Sequence, residues 1–245
     1  MHEITKPSPV QRPDLHEATD GEFKGWRTWT RDSYETHTGP FWHRTEADGR
    51  VRCAFRVEKK HLNGSGNVHG GCFMTFADYC LFAIASHELR GPGVTVSFSS
   101  DFLDAAREGE FKGWRTWRRD AFETHTGPFW HRMEDDGTIR CAFRVEKKHL
   151  NGSGNVHGGC FMTFADYCLF ALASHELRGP AVTVSFSSEF LDAAREGELI
   201  ECMGEVTRAG GSLIFVRGEL KSGERRLFTF SGTIKRVKRR EPAKV

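Results

Sequence analysis

Asn151 to Asp166 reads N-G-S-G-N-V-H-G-G-C-F-M-T-F-A-D, and the same sixteen residues occur at Asn63 to Asp78. From Gly158 to Ser174 the only formally charged side chain is Asp166, set between Ala165 and Tyr167. A carboxylate on an apolar helix costs free energy unless something specific stabilises it. Small residues at a helix start leave backbone N–H groups free to face an oxygen of a ligand. His157-Gly158-Gly159 and Asp166 therefore read as an oxyanion-binding helix end with a carboxylate about two turns further along.

Several elements must hold that pair in place. Arg140 to Glu146 has β-type composition, and Pro128 to Arg132 adds a short strand before it. A Gly- and Asn-rich loop, Lys147 to Val156, leads into the helix. The helix starts near His157 and is expected to stop at Arg178-Gly179-Pro180, a Gly-Pro terminator. Beyond it Val182, Val184 and Phe186 alternate with Thr183, Ser185 and Ser187, the pattern of a strand running on to Leu191. Three further strands follow at Leu199 to Thr207, Ser212 to Leu220 and Arg226 to Val237, with glycine turns between them.

The whole unit up to Glu196 is duplicated. Residues 21–108 recur as 109–196 with 78 of 88 positions identical, a period far too long for a solenoid. Only the second copy runs directly into the three terminal strands. A single helix wrapped by an antiparallel sheet needs those strands for its core, so copy 1 is a truncated duplicate. For copy 1 to recruit them the chain would loop out roughly 90 residues, costing about 2.5–3 kcal/mol more than the short connection from copy 2. The expected division is a flexible arm at 1–20, the truncated duplicate at 21–108, a complete domain at 109–240 and a tail at 241–245. Copy 1 is expected to be an accessory, partly ordered, or swapped onto another chain.

Composition narrows the function classes. The 245 residues are 38% hydrophobic and 28% charged, an ordinary balance for a soluble protein. A formal net charge of +2 does not call for nucleic acid. The basic run Lys235 to Arg240 is a solvated end, or a contact for the phosphates of a nucleotide-bearing substrate. Seven cysteines without a Cys-x-x-Cys pair fit reduced thiols and give no zinc site of that type. The start has no apolar leader and no run is long enough to span a membrane, so the expected compartment is the cytoplasm.

A strand, a Gly-rich loop, Asn151-(x5)-His157-Gly158-Gly159-(x6)-Asp166 and then Gly179-Pro180-Ala181-Val182-Thr183-Val184 resemble the hotdog-fold acyl-CoA thioesterases. Within them the likeness is to the phenylacetic-acid-degradation type. It covers about residues 120–237 in full and 32–104 in part. The resemblance implies an α+β hotdog fold, a long central helix wrapped by an antiparallel sheet, with one complete copy and one truncated. It implies hydrolysis of an acyl or aryl-acyl thioester to free acid and CoA, with no cofactor and no metal. By the same resemblance the Gly158 N–H holds the oxyanion, and Asp166 is the general base for water or a nucleophile. Asn151 orients the water or the thioester, Thr183 bonds the water or Asp166, and His157 shapes the turn. Copy 1 repeats all of these as Asn63, His69, Gly70, Asp78 and Thr95. In this family the Asp and Thr come from one subunit and the Asn and Gly from its partner, which implies a homo-oligomer, a dimer or a dimer of dimers. The implied partner is the acyl-CoA substrate, with neither nucleic acid nor membrane.

Blander readings stand beside these. Cys160 lies in the first helical turn, where a thiolate is favoured, but without a paired base beyond His157 it is expected to be a small buried thiol. His125 and His131 have no carboxylate or Cys at ligand spacing, so they are expected to be structural. A hotdog hydratase would carry Asp-x-Asn-Pro-x-His or His-Phe-Pro, and neither stretch is present. The rivals that remain are a non-catalytic acyl-CoA-binding or scaffolding module and a duplicated engineered variant with altered assembly.

Overall fold

The computed structural model describes residues 15–86, 89, 93–102 and 121–237. A short strand β1 (Leu15–Glu17) precedes copy 1, which opens with β2 (Arg27–Trp29) and a short helix α1 (Ser33–Thr38). The hairpin of β3 (Trp42–Thr45) and β4 (Val51–Ala54) leads to the long helix α2 (Gly70–Ala85) and the strand β5 (Ser97–Asp101). Copy 2 repeats the order as α3 (Ala121–Thr126), β6 (Trp130–Met133), β7 (Ile139–Arg144), α4 (Gly158–Leu172) and β8 (Ala181–Phe190). The terminal strands are β9 (Leu199–Ala209), β10 (Leu213–Ser222) and β11 (Arg225–Arg236).

Seven strands form one sheet in the order β5-β8-β11-β10-β9-β7-β6, and β1 to β4 form a second in chain order. The terminal strands thus lie between β8 and β7 of copy 2 and wrap α4, the long-helix-in-sheet arrangement of a hotdog fold. Alternation explains their inward face: Phe228, Phe230 and Ile234 of β11 are buried, as are Ile214 and Val216 of β10. Two glycines let the sheet close on the helix. A Cβ on Gly232 would lie 2.5 Å from Leu169 Cδ1, and one on Gly204 would lie 2.7 Å from Leu172 Cδ1. Among the described residues no helix is long and apolar enough to cross a membrane.

Three expectations change. The helix of copy 2 ends at Leu172, well before Gly179, because the Ser174 N–H bonds back three residues to the Ala171 carbonyl and tightens the chain into turns. Leu15–Glu17, expected in a loose arm, is a strand paired with β2, with Glu17 in an ion pair to Arg27 at 3.2 Å. Residues 1–14, much of the junction between the copies (103–120) and the tail from 238 lie outside the described residues.

The largest change concerns copy 1, expected to be an accessory, partly ordered, or swapped onto another chain. It packs on copy 2 of its own chain. Strand β5 runs antiparallel beside β8 in a register that places Ser99 opposite Ser187, its own repeat equivalent, with Ser97 opposite Glu189 and Asp101 opposite Ser185. Helix α2 packs against α4. A pseudo-two-fold axis therefore passes between the copies. His37 and His125, another equivalent pair, stack at 3.8 Å and each places Nε2 on the other's backbone carbonyl, at 2.6 and 2.7 Å. Tethering favours this pairing, since a covalent link raises the effective concentration of one copy around the other to the millimolar range.

Candidate active site

Each long helix begins at a histidine. His157 has extended backbone and caps α4, its Nδ1 accepting the Gly159 N–H at 2.9 Å. His69 caps α2 through the Gly71 N–H at the same distance. Because the cap takes the second glycine, the Gly158 and Gly70 N–H groups are left at the helix mouths, each lining a cleft. The positive end of the helix dipole adds to their pull on an oxygen. Each histidine thus closes the first turn of its helix.

The carboxylates do not face their own helix ends. Asp166 is buried on α4, and a Cβ built on Gly70 of α2 would lie 2.9 Å from its Oδ2. Asp78, equally buried on α2, stands 3.1 Å from the corresponding position of Gly158. Thr183 donates to Asp166 Oδ1 at 2.7 Å, and Thr95 donates to Asp78 Oδ1 at 2.6 Å. Two composite clefts result. The Asp78 cleft, about 400 Å³, joins Asp78 and Thr95 to Asn151, His157 and Gly158. The Asp166 cleft, about 460 Å³, joins Asp166 and Thr183 to Asn63, His69 and Gly70. All ten residues singled out in the sequence line one cleft or the other, grouped across copies and not along one helix.

The asparagines carry a qualification. Asn151 Oδ1 accepts from the N–H groups of Ser153 and Asn155, at 3.0 and 3.1 Å, and Asn63 does the same with Ser65 and Asn67. The carbonyl end of each amide thus builds the turn, which leaves the NH₂ end to face a ligand.

Burial raises the Asp78 carboxyl above its ordinary value, with His157 and the Thr95 hydroxyl pulling the other way. Burial likewise pushes the Cys160 thiol up, in keeping with an inert core cysteine. His131 Nδ1 bonds the Tyr167 hydroxyl at 2.6 Å and His125 stacks on His37, so both have structural partners.

Sequence reasoning missed a third layer. Glu35 of α1, nine-tenths buried, sets Oε1 3.4 Å from His157 Nε2, with Asp32 Oδ2 at 3.6 Å from the same nitrogen. Tyr34 stacks on the ring at 5.3 Å. At the other cleft Glu123 stands 3.3 Å from His69 Nε2 and Phe122 stacks at 5.4 Å. The signal was available, because Asp32-Ser33-Tyr34-Glu35 has helix-start spacing and Glu35 recurs as Glu123. Burial, with Asp32 and Asp78 nearby, raises Glu35 to about 7 against the hydrogen bond from His157. For the ring itself burial opposes charge, while Asp32, Glu35 and Asp78 together favour an imidazolium and would carry it to about 10. The cap decides the matter: a proton on Nδ1 would set two donors against each other at Gly159. A neutral ring with its hydrogen on Nε2 keeps that cap. The same argument bears on the close grouping of Asp32, Glu35 and His157, whose ligand atoms lie within 4.8 Å of one another. A cation would need the Nε2 lone pair, and the cap requires a hydrogen there.

Two segments, 65–113 and 153–229, match the thioesterase superfamily and together make up just over half of the chain. The chain belongs to that superfamily of thioester hydrolases. Each segment lies largely in one copy, and only the second continues through terminal strands. A Pseudomonas aeruginosa protein that carries an esterase name is 37% identical over 108 residues, which cover 43% of this chain and 81% of that protein. Human acyl-coenzyme A thioesterase 13 is 32% identical over 85 residues, covering 34% of this chain and 61% of its own length. The structure of Escherichia coli PaaI, from the phenylacetic acid degradation operon, superposes with a TM-score of 0.44 at 22% identity, covering 49% of this chain and 86% of that one.

Proposed function

We propose that the chain hydrolyses acyl-CoA thioesters at two clefts, each built from both copies. The observation that carries this reading is the facing of a buried, threonine-held carboxylate and the N-terminal glycine of the other copy's helix. A thioester carbonyl placed on the Gly158 N–H has the Asp78 carboxylate beside it. Asp78 takes a proton from water, and the hydroxide adds to the carbonyl carbon. The resulting oxyanion is held by the N–H and the helix dipole. Collapse breaks the C–S bond, and the proton on Asp78 goes to the departing thiolate to give CoA and the free acid. Asp166 and Gly70 do the same at the second cleft. Phe161 and Phe190 at the first cleft, and Phe73 and Phe102 at the second, offer apolar walls for the acyl group.

In this reading the dimer that the family resemblance implies is contained within one chain. A second chain is not needed to complete either cleft. Thiol release from an acyl-CoA panel tests the proposal. Asp78→Ala and Asp166→Ala should each remove part of the turnover, and the double variant should lose at least about a hundredfold. Full turnover in the folded double variant would take both carboxylates out of the chemistry, and no release from the folded wild type would leave a binding module as the better reading.

A further inference from the structure

Besides the reacting groups, each cleft is lined by an acid from a short helix, Glu35 in one and Glu123 in the other. Glu35 reaches from α1 of copy 1 to the histidine capping the helix of copy 2, and Glu123 reaches back from α3 to the histidine of copy 1. Both contacts cross the same interface that the clefts span. The ring between them has a demanding task. Its Nδ1 must offer a lone pair to the second glycine N–H, at 2.9 Å in both copies. A neutral imidazole has one hydrogen to place, so an acceptor at Nε2 selects the tautomer that leaves Nδ1 bare. In the other tautomer Nδ1–H would oppose the Gly159 N–H, the cap would break, and the Gly158 N–H would move off the oxyanion position.

We infer that Glu35 and Glu123 are positioning residues for the oxyanion turns, fixing the Nε2–H tautomer of His157 and of His69 respectively. The inference rests on the thioesterase reading for its effect on rate, but not for the tautomer. Packing assists it, since Tyr34 and Phe122 lie on the two rings at 5.3 and 5.4 Å and prevent them from turning edge-on. Asp32 serves Glu35 by capping α1, its Oδ1 accepting the Glu35 N–H at 2.9 Å. It is also the second acceptor near His157 Nε2, at 3.6 Å. Loss of Glu35 therefore weakens the selection of tautomer without abolishing it.

Two measurements on the full chain test this. The first is ¹⁵N imidazole chemical shifts in the unmodified protein at neutral pH, with His157 assigned from a His157→Asn variant. The expected signature is a neutral ring protonated at Nε2. An imidazolium or an Nδ1–H ring overturns the inference, whatever the activity. The second is thiol release in the Asp166→Ala background, where only the Asp78 cleft works. There Glu35→Met should lower kcat about tenfold with KM changed less than twofold, and Glu35→Gln, whose amide oxygen still accepts, should restore most of kcat. A Glu35→Met protein as fast as its parent overturns the inference, as does a Glu35→Gln protein as slow as Glu35→Met. Absence of release from wild type and parent alike would remove the thioesterase reading, with the ring shifts still deciding the tautomer.

Discussion

Leu81 and Leu169 are equivalent residues of one duplicated sequence, yet Leu81 is 48% exposed and Leu169 is 0% exposed. Ile84 and Leu172 differ in the same way, at 59% and 7%. The cause is the terminal sheet, which lies over α4 and has no counterpart over α2 among the described residues. The clefts show no such contrast. Thr to Asp is 2.6 Å in one and 2.7 Å in the other, and the histidine cap is 2.9 Å in both. The core is thus set by what covers each helix, whereas the clefts are set by the interface between the copies. A truncated copy can lack the first and still provide its half of the second.

The contrast in burial should produce the largest measurable difference. Leu169→Ala removes a fully buried side chain packed under β11 and should cost about 3 kcal/mol, the ordinary range for such a cavity. Leu81→Ala should cost less than about 0.5 kcal/mol, as for an exposed position. Urea unfolding followed by circular dichroism measures both. Equal losses would mean that something covers α2 in solution.

The sameness of the clefts is tested by crossed substitutions. Gly70→Ala pushes a methyl group onto Asp166 Oδ2, at 2.9 Å, so it should disable the Asp166 cleft alone. Added to Asp78→Ala it should remove the remaining thiol release by about a hundredfold, the scale expected when a reacting geometry is displaced. Added to Asp166→Ala it should change nothing further. The reverse pattern would show that each carboxylate works with its own helix end.

Much of this was legible in the sequence, and the part that was not has a definable cause. The helix, its Asp, the glycine pair and the three terminal strands are local signals, and each has a period or a punctuation mark that can be read. The partnership of Asp166 with Gly70 has no local signal, because residues 96 apart meet only through the packing of α2 on α4 and the β5–β8 register. Loop entropy places the terminal strands on copy 2 but leaves copy 1 as an accessory, a partly ordered segment or a swapped one, since it weighs one competition and not the pairing of the copies within the chain. Glu35 gives no such signal either, because a lone acid in a polar stretch reads as surface. Only the fold shows that the stretch lies under the other copy's histidine.

Glu35 also gives the comparison a dependence on pH. Its folded value, raised from 4.5 to about 7, lies above that of the unfolded chain. Its contribution to stability is then fully present below about pH 4.5 and is lost as pH rises through 7. Shared with His157, the effect should be on the order of 2 kcal/mol between pH 4.5 and 8. Glu35→Gln, which cannot ionise, should flatten that part of the stability–pH curve. An unchanged slope would show that Glu35 ionises in the fold as easily as in water.

The smallest effect concerns a difference between the copies that lies between the two long helices. Tyr34 donates to Thr163 Oγ1 at 2.9 Å, and Thr163 passes its own hydrogen to the Gly159 carbonyl at 2.8 Å. The equivalent Phe122 has no hydroxyl to offer Thr75, which bonds the Gly71 carbonyl at 2.9 Å. Tyr34→Phe should cost about 1 kcal/mol, the usual net value of a buried neutral hydrogen bond, and should make the two halves alike. Thr75 and Thr163 face each other across the pseudo-two-fold axis at 3.5 Å, so a hydroxyl reaching in from the Phe122 side finds a similar acceptor. The swap of Tyr34→Phe with Phe122→Tyr should therefore recover most of the lost stability. A swap as unstable as Tyr34→Phe alone would show that the axis is sequence symmetry only, and that the two halves of the interface are packed differently.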